Sequence, residues 1–292
     1  MPAPDLLTGL APAKLNLVLE VLGKRPDGYH ELDTILQTLA LADRVTISRG
    51  GGPPVLVTGP MAKGTPADHS NLAWRAAEAL ARICGESVGG LSIAIDKQIP
   101  AAGGLGGGAS DAATVLRLLQ QWWPAATDEA LQRAAAEVGS DESFFLTGGT
   151  ARARGRGEVV TALPPLPSHA VVLFIPPETI ESKTPRLFAA LAGQPFDSGS
   201  VAAAFVKDPP SRFAGADVYN AFERVAFDVF PGLASLHERI EARSGEPIHL
   251  AGAGPTLFWI GPRARAAAVA ASAAGLDCTT IPTATAGSLW RR

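Results

Sequence analysis

Between residues 100 and 111 the chain reads Pro100-Ala101-Ala102-Gly103-Gly104-Leu105-Gly106-Gly107-Gly108-Ala109-Ser110-Asp111, with glycine at five of the six positions 103–108. Backbone without Cβ atoms can take up positive φ and let a ligand come close, and the free N–H groups and positive end of a following helix attract an anion. The run is therefore a candidate phosphate cradle, and a nucleoside triphosphate is its simplest ligand. It is not a Walker A loop, because no Lys-Ser/Thr pair follows the glycines. Gly104 to Ala109 does fit Gly-x-Gly-x-x-Ala. A dinucleotide fold also needs an acidic residue ending a second strand about 20 residues on, whereas Asp128 and Glu129 open a helix. A glycine turn with no ligand is the other alternative, although so many glycines are costly in folding entropy unless something uses them.

Lys14 and Asn16 alternate with Leu15 and Leu17, so the two polar side chains leave the same strand face and can enter one cleft. A lysine at a strand start is otherwise a solvated edge residue. Asp141, in Gly139-Ser140-Asp141-Glu142, suits the start of a short helix, where a carboxylate is favoured by the dipole. Tyr29, His30 and Phe188 read by themselves as two core aromatics and a surface histidine.

Periodicity gives the elements that must hold these residues. Leu15, Leu17, Leu19 and Val21 on one face, against Lys14, Asn16 and Glu20 on the other, predict a half-buried strand. Strands are also expected over 43–48, at 55–58 and over 91–95, with a helix from Asn71 to Cys84 stopped by Gly85. The stripe Ala112, Val115, Leu116, Leu119, Trp123 predicts a helix starting near Ser110 and ended by Pro124. A helix over 128–138 and a hairpin turning at Gly155-Arg156-Gly157 complete the first half. Pro164, Pro165 and Pro167 place a boundary within 163–169, dividing the chain into domains 1–166 and 167–292. The second half predicts a strand over 170–175, helices near 185–192 and 217–239, strands near 247–251 and 256–260, and a helix near 262–275. Two helices on a small antiparallel sheet satisfy that order.

With 292 residues, 47% of them hydrophobic, the chain can build a substantial core. A net charge of −3 offers no broad basic surface, so no nucleic-acid partner is expected. Cys84 and Cys278 stand alone and no His-x-x-x-His pair occurs, which argues against a disulfide framework or a zinc site and for a reducing cytoplasm. No signal peptide and no apolar run of about 18 residues is evident, so no membrane partner is expected.

The segment Pro100 to Ala113 resembles the phosphate loop of the GHMP kinases. Ala11-Pro12-Ala13-Lys14-Leu15-Asn16-Leu17, Asp27-Gly28-Tyr29-His30-Glu31-Leu32, Asn71-Leu72-Ala73 and Asp96-Lys97 then occur in the order seen in the 4-diphosphocytidyl-2-C-methyl-D-erythritol kinase family. Ala251-Gly252-Ala253-Gly254-Pro255-Thr256 is similar to that family's third glycine motif, and the resemblance spans about residues 11–260. It implies an α+β, two-domain GHMP kinase fold, with an N-terminal part like ribosomal protein S5 domain 2 and a C-terminal ferredoxin-like α/β sandwich. It also implies ATP as co-substrate, with Mg²⁺ held mainly by the phosphates and contacted by Ser110. Asn71, Lys97 and the loop from Pro100, Ala101, Ala102, Gly103, Gly104 and Leu105 through Gly106, Gly107, Gly108, Ala109 and Ser110 would bind ATP. Asp141, matched through Gly139-Ser140-Asp141, would be the base, and Lys14 would orient it and stabilise negative charge. Asn16 and Thr184 would hold the methylerythritol part with Asp141, while Tyr29 and Phe188 sandwich the cytosine and His30 reads its edge.

The implied reaction phosphorylates the 2-hydroxyl of 4-diphosphocytidyl-2-C-methyl-D-erythritol in non-mevalonate isoprenoid biosynthesis, in a cytoplasmic monomer or weak homodimer. A GHMP kinase for another alcohol, such as homoserine or a mevalonate, and a noncatalytic sugar sensor are the rival readings. Gly28-Tyr29-His30 argues against the first and the pair Lys14 and Asp141 against the second. One departure from the resemblance stands beside the proposed base: the family usually continues Val-Pro-Phe-Phe, whereas this chain has Glu142-Ser143-Phe144-Phe145.

Overall fold

β1 (Leu6–Lys24) and β2 (His30–Arg49) form a long antiparallel hairpin whose pairing is interrupted by bulges at Pro12/Lys14, Asn16/Val18 and Val21/Gly23. Each bulge inserts an unpaired residue and reorients the side chains beyond it. The expected half-buried strand is consequently buried on both faces from Ala11 to Val21. Leu15, Leu17 and Val18 enter one core and Leu19 and Val21 another. Glu20, expected on the polar face, is 1% exposed and accepts hydrogen bonds from the N–H groups of Gly199 and Ala202. A computed structural model describes residues 5–177, 180–210, 213 and 217–288.

The first half continues through β3 (Val55–Thr58), α1 (Leu72–Cys84), β4 (Leu91–Asp96), α2 (Gly107–Leu119), α3 (Asp128–Val138), α4 (Glu142–Thr147), β5 (Thr150–Gly155) and β6 (Val159–Ala162). Asn71 caps α1 by accepting from the Ala73 N–H, and Gly85, at φ +70°, ends it. α2 starts three residues before the predicted Ser110, because Gly106 in the left-handed region already supplies the turn into the helix. It stops at Leu119, and residues up to Pro124 form tight turns. β2 sits between β1 and β4 and also pairs with β5. Val45, Ile47 and Ile93 of this sheet pack against Leu80, Leu116, Leu131 and Phe144 of the helices.

The second half consists of β7 (Ala170–Ile175), α5 (Lys183–Leu191), α6 (Ser200–Lys207), β8 (Tyr219–Asn220), α7 (Glu223–Val229), α8 (Leu233–Ser244), β9 (His249–Leu250), β10 (Leu257–Gly261), α9 (Ala266–Ser272) and β11 (Thr279–Ala284). Its antiparallel sheet has the order β11-β7-β10-β9. α6 and β11 were not expected from the sequence. The single helix predicted over 217–239 is instead β8, α7 and α8. Pro231 and Gly232, the latter at φ +74°, break the helical path, and β8 joins the first sheet parallel to β1.

The architecture is α+β, as expected. Its third core joins the halves, with Leu15, Leu17, Ile35, Leu39 and Leu105 packed with Val171, Leu173, Phe258 and Ile260. Among the described residues no helix is long and apolar enough to cross a membrane.

Candidate active site

The glycine loop is anchored from below by a buried ion cluster. After β4, the Lys97 ammonium meets Asp43 at 2.5 Å and Asp111, in the first turns of α2, at 2.6 Å. The other Asp43 oxygen accepts the N–H groups of Gln98 and Ile99. Burial raises the Asp111 carboxyl above its ordinary range, with Lys97 opposing the shift and Asp43 adding to it. The cluster fastens β2, the loop and the helix start together. Lys97 therefore lies in the cradle floor, its Nζ 3.3 Å from where a Cβ on Gly107 would stand.

Two glycines in the loop have no substitute. Gly104 is at φ +87°, and a side chain there would run into the Ala251 carbonyl. Gly106 is at φ +73°, and a Cβ would lie 2.8 Å from the Phe145 ring and 3.0 Å from Cγ of Lys14. No side chain caps α2, while Gly106, Gly107, Gly108 and Ala109 line a cleft with Lys14, Asn71, Asp141 and Pro100 to Gly104. The buried Ser110 hydroxyl has no hydrogen-bond partner, nor does that of Thr256 beside Gly103. An unpaired buried hydroxyl costs about 1–3 kcal/mol, so such groups suit a site completed by a polar ligand. Asn71 stands in the cleft wall with its amide donating to the Pro66 carbonyl while its oxygen caps α1.

At the inner end of the cleft, the Lys14 N–H donates to the Leu105 carbonyl at 2.9 Å, holding β1 against the loop. Its ammonium donates to Asn16 Oδ1 at 2.7 Å and lies 3.4 Å from an Asp141 carboxylate oxygen. The Asn16 amide in turn donates to Thr34. Lys14 is thus no edge residue. Asp141 occupies the N-cap position of α4 but makes no side-chain capping bond; its carboxylate, 39% exposed, is directed at Lys14. Glu142 beside it is 2% exposed, its carboxyl tucked against Gly139. Burial pushes that carboxyl up to about 7, with the Asp141 charge adding and Arg75 opposing.

The second half supplies the far wall. Asn220 donates to the carbonyls of Leu250 and Gly252, and this fixes Gly252 where a Cβ would meet Asn16 Oδ1 at 2.9 Å and Lys14 Nζ at 3.2 Å. The late glycine motif therefore closes on the Lys14–Asn16 pair. Sequence reasoning missed Lys183, which opens α5, lines the same cleft and donates to the Gly254 carbonyl at 2.8 Å. Nothing in its local spacing distinguishes it from a surface lysine.

Thr184 lines this cleft and also a neighbouring one of about 620 Å³, walled by Lys24, Tyr29, His30, Phe188 and Arg224 among others. The ring lying against Phe188 is His30, face to face at 4.0 Å, and Phe222 meets Phe188 edge-on at 5.0 Å. Tyr29 is 53% exposed, with the Arg156 guanidinium 4.7 Å over its ring. Tyr29 and Phe188 are therefore not arranged as the two faces of one slot. Tyr29 belongs to the hairpin tip, held through its backbone by Arg25 and Asp27, whereas His30 already starts β2 and faces α5. Burial and the Lys24 charge lower the His30 pKa.

The family model for the GHMP kinases N terminal domain matches residues 71–149, which include the cradle and Asp141. The 4-diphosphocytidyl-2-C-methyl-D-erythritol kinases of Dehalococcoides mccartyi and Pelotomaculum thermopropionicum are 40% and 37% identical to this chain, over 87% of it and 88% of each relative. A crystal structure of 4-(cytidine 5'-diphospho)-2C-methyl-D-erythritol kinase covers 96% of the chain, and 100% of its own, at 33% identity and a TM-score of 0.75. L. major mevalonate kinase, solved with R-mevalonate, shares the fold at 15% identity and a TM-score of 0.71, each chain covered to 99%. Identity of 40% across most of both chains goes well past a shared fold, and the chain belongs to the 4-diphosphocytidyl-2-C-methyl-D-erythritol kinase family of the GHMP kinases.

Proposed function

We propose that this protein transfers the γ-phosphoryl group of ATP to the 2-hydroxyl of 4-diphosphocytidyl-2-C-methyl-D-erythritol, a step of non-mevalonate isoprenoid biosynthesis. The observation that carries the proposal is the Lys14–Asp141 pair, 3.4 Å apart in the cleft lined by the glycine loop. In this reading ATP lies along Pro100 to Ser110 with its base toward Asn71, and the α2 N-terminus faces its phosphates. Asp141 accepts the acceptor's hydroxyl proton, while Lys14, steadied by Asn16, holds that carboxylate and the nascent alkoxide. Among the described residues no three His, Cys, Asp or Glu side chains gather as a metal site. The Ser110 hydroxyl, buried and without a partner, would be a contact for a Mg²⁺ held chiefly by the phosphates, whose charge the ion would neutralise.

The acceptor's cytidine end would occupy the cleft of Tyr29, His30 and Phe188, with Thr184 at the passage between the two clefts. A base entering there would take the place of one ring in the His30–Phe188 stack. We place the reaction in the cytoplasm, in a monomer or weak homodimer.

The test is turnover with ATP across a panel of alcohols: the cytidylated methylerythritol, free methylerythritol phosphate, homoserine and mevalonate. The first should be preferred by orders of magnitude in kcat/KM. Asp141→Asn should lower kcat by roughly 10²–10⁴ with little change in melting temperature, because Asp141 caps nothing. Equal turnover of homoserine would sink the substrate assignment, and full activity in Asp141→Asn would sink the assignment of the base.

A further inference from the structure

Lys183 has no part in the chemistry described so far. Its ammonium has three N–H donors, of which the Gly254 carbonyl takes one, and among the described residues no carboxylate lies within ion-pair distance of it. It stands at the N-terminus of α5, in the wall of the cleft that holds the glycine loop, Lys14 and Asp141. Lys14 is committed to Asn16 and Asp141 on the acceptor side. The wall opposite β1 thus presents a second cation that is tethered, partly buried and unpaired, beside a cradle built for phosphate.

We propose that Lys183 is a further catalytic residue of the phosphoryl transfer, donating to the non-bridging oxygens of the γ-phosphoryl group. This rests on the phosphotransferase reading given above. In that step the acceptor oxygen bonds to the γ-phosphorus as the bond from that phosphorus to the β–γ bridging oxygen breaks. The electron pair leaves with ADP, and the hydroxyl proton passes to Asp141. Charge spreads over the transferred group's equatorial oxygens in the transition state, and a fixed cation on the side away from Lys14 meets it without reorganising.

The surroundings fit an anion. Facing Lys183 are Lys14 from β1 and Asp141 before α4, with Lys97 and Asp111 beneath the loop and Lys63 and Glu181 on the outer rim. Burial, then the Lys14 charge, lower the Lys183 ammonium to about 8, with Asp141 opposing. A phosphate oxygen at this point would hold the proton in place.

Lys183→Gln and Lys183→Arg decide the matter. The glutamine variant should lower kcat about 10²-fold with the acceptor KM changed less than about threefold, and arginine should recover most of the loss. The alkaline limb of kcat/KM, near pH 8 in the native enzyme, should move upward in Lys183→Arg because a guanidinium does not titrate there. Lys183→Gln should also lower the ratio of ATP to ADP affinity about tenfold by calorimetry, a readout that needs no acceptor. If the native protein bound ATP but phosphorylated no alcohol, the functional proposal would fail while that ratio still judged Lys183. Native kcat in Lys183→Gln, an unchanged affinity ratio, or a kcat loss that arginine does not recover and that follows a fall in melting temperature would overturn the inference and leave Lys183 as a tether for Gly254.

Discussion

At the scale of single residues, the site depends on how three carboxyl groups are treated. Asp141 is left partly open and faces Lys14, Asp111 is sealed beside Lys97, and Glu142 is sealed with no comparable cation against it. Glu142 also stands where the resemblance leads one to expect Val. Its carboxyl goes from an ordinary value of 4.5 to about 7 on folding, chiefly through burial. A raised carboxyl pKa means that the folded state holds the proton more tightly than the unfolded chain. The stabilising contribution is therefore complete below about pH 4.5 and lost as pH rises to about 7. Glu142→Gln removes that titration. The variant should gain on the native protein between pH 5 and pH 8, by on the order of 3 kcal/mol at most, and the gain should level off above pH 7. Denaturant midpoints at pH 5 and pH 8 measure it. A native-minus-variant difference that does not change with pH would show that Glu142 is solvated after all.

At the scale of elements, the proposed cradle depends on α2 and its loop being clamped between β2 and the late glycine motif. Gly107 lies over the clamp: a Cβ there would stand 3.0 Å from Ile99 Cγ2 and 3.3 Å from Lys97 Nζ. Gly107→Val should weaken ATP binding at least tenfold with unchanged far-ultraviolet circular dichroism, because the added side chain presses on Ile99 and Lys97 and pushes the loop backbone away from the position in which it would face the phosphate. A folded variant with native ATP affinity by calorimetry would remove the loop from the nucleotide site. The loop could be read from the chain since glycine excess before a helix is a local signal. The clamp could not: Asp43 lies 54 residues before its partner Lys97 and shows no local mark. Alternation along β1 foretold a leucine face but not the bulges, so the burial of Glu20 went unseen. The Pro231-Gly232 break was visible in sequence, yet the apolar stripe on either side of it reads as one helix. The capping and catalytic readings of Asp141 share the same residues, and only the position of Lys14 across the cleft separates them. Lys183 and the His30–Phe188 stack likewise depend on how α5 docks, which no spacing encodes.

At the scale of the whole molecule, the proposed division into 1–166 and 167–292 is crossed by a sheet, by hydrogen bonds and by a shared core. β8 extends the first sheet through Val18 and Leu19, and Glu20 receives the start of α6. The C-terminal segment returns to Thr38 and Gln37 through Ala286. Leu15, Leu17, Ile35 and Leu39 would be uncovered on removal of the second half, since they pack with Val171, Leu173, Phe258 and Ile260. Each such side chain is worth roughly 1.5–3 kcal/mol when fully buried, and their joint loss exceeds much of a typical domain's net stability of about 5–15 kcal/mol. A fragment of residues 1–166 should therefore melt without a cooperative transition and bind a hydrophobic dye, while the full chain melts in one step. The active site imposes the same unity, because Lys14 and the loop come from one half and Gly252, Lys183 and Thr184 from the other. ATP at about 100 times its dissociation constant should thus raise the stability of the whole chain by about 2.7 kcal/mol in that single transition. A cooperative melt of the fragment, with the same gain from ATP, would mean that the first half folds and binds nucleotide by itself and that the shared core is a docking surface between two independent units.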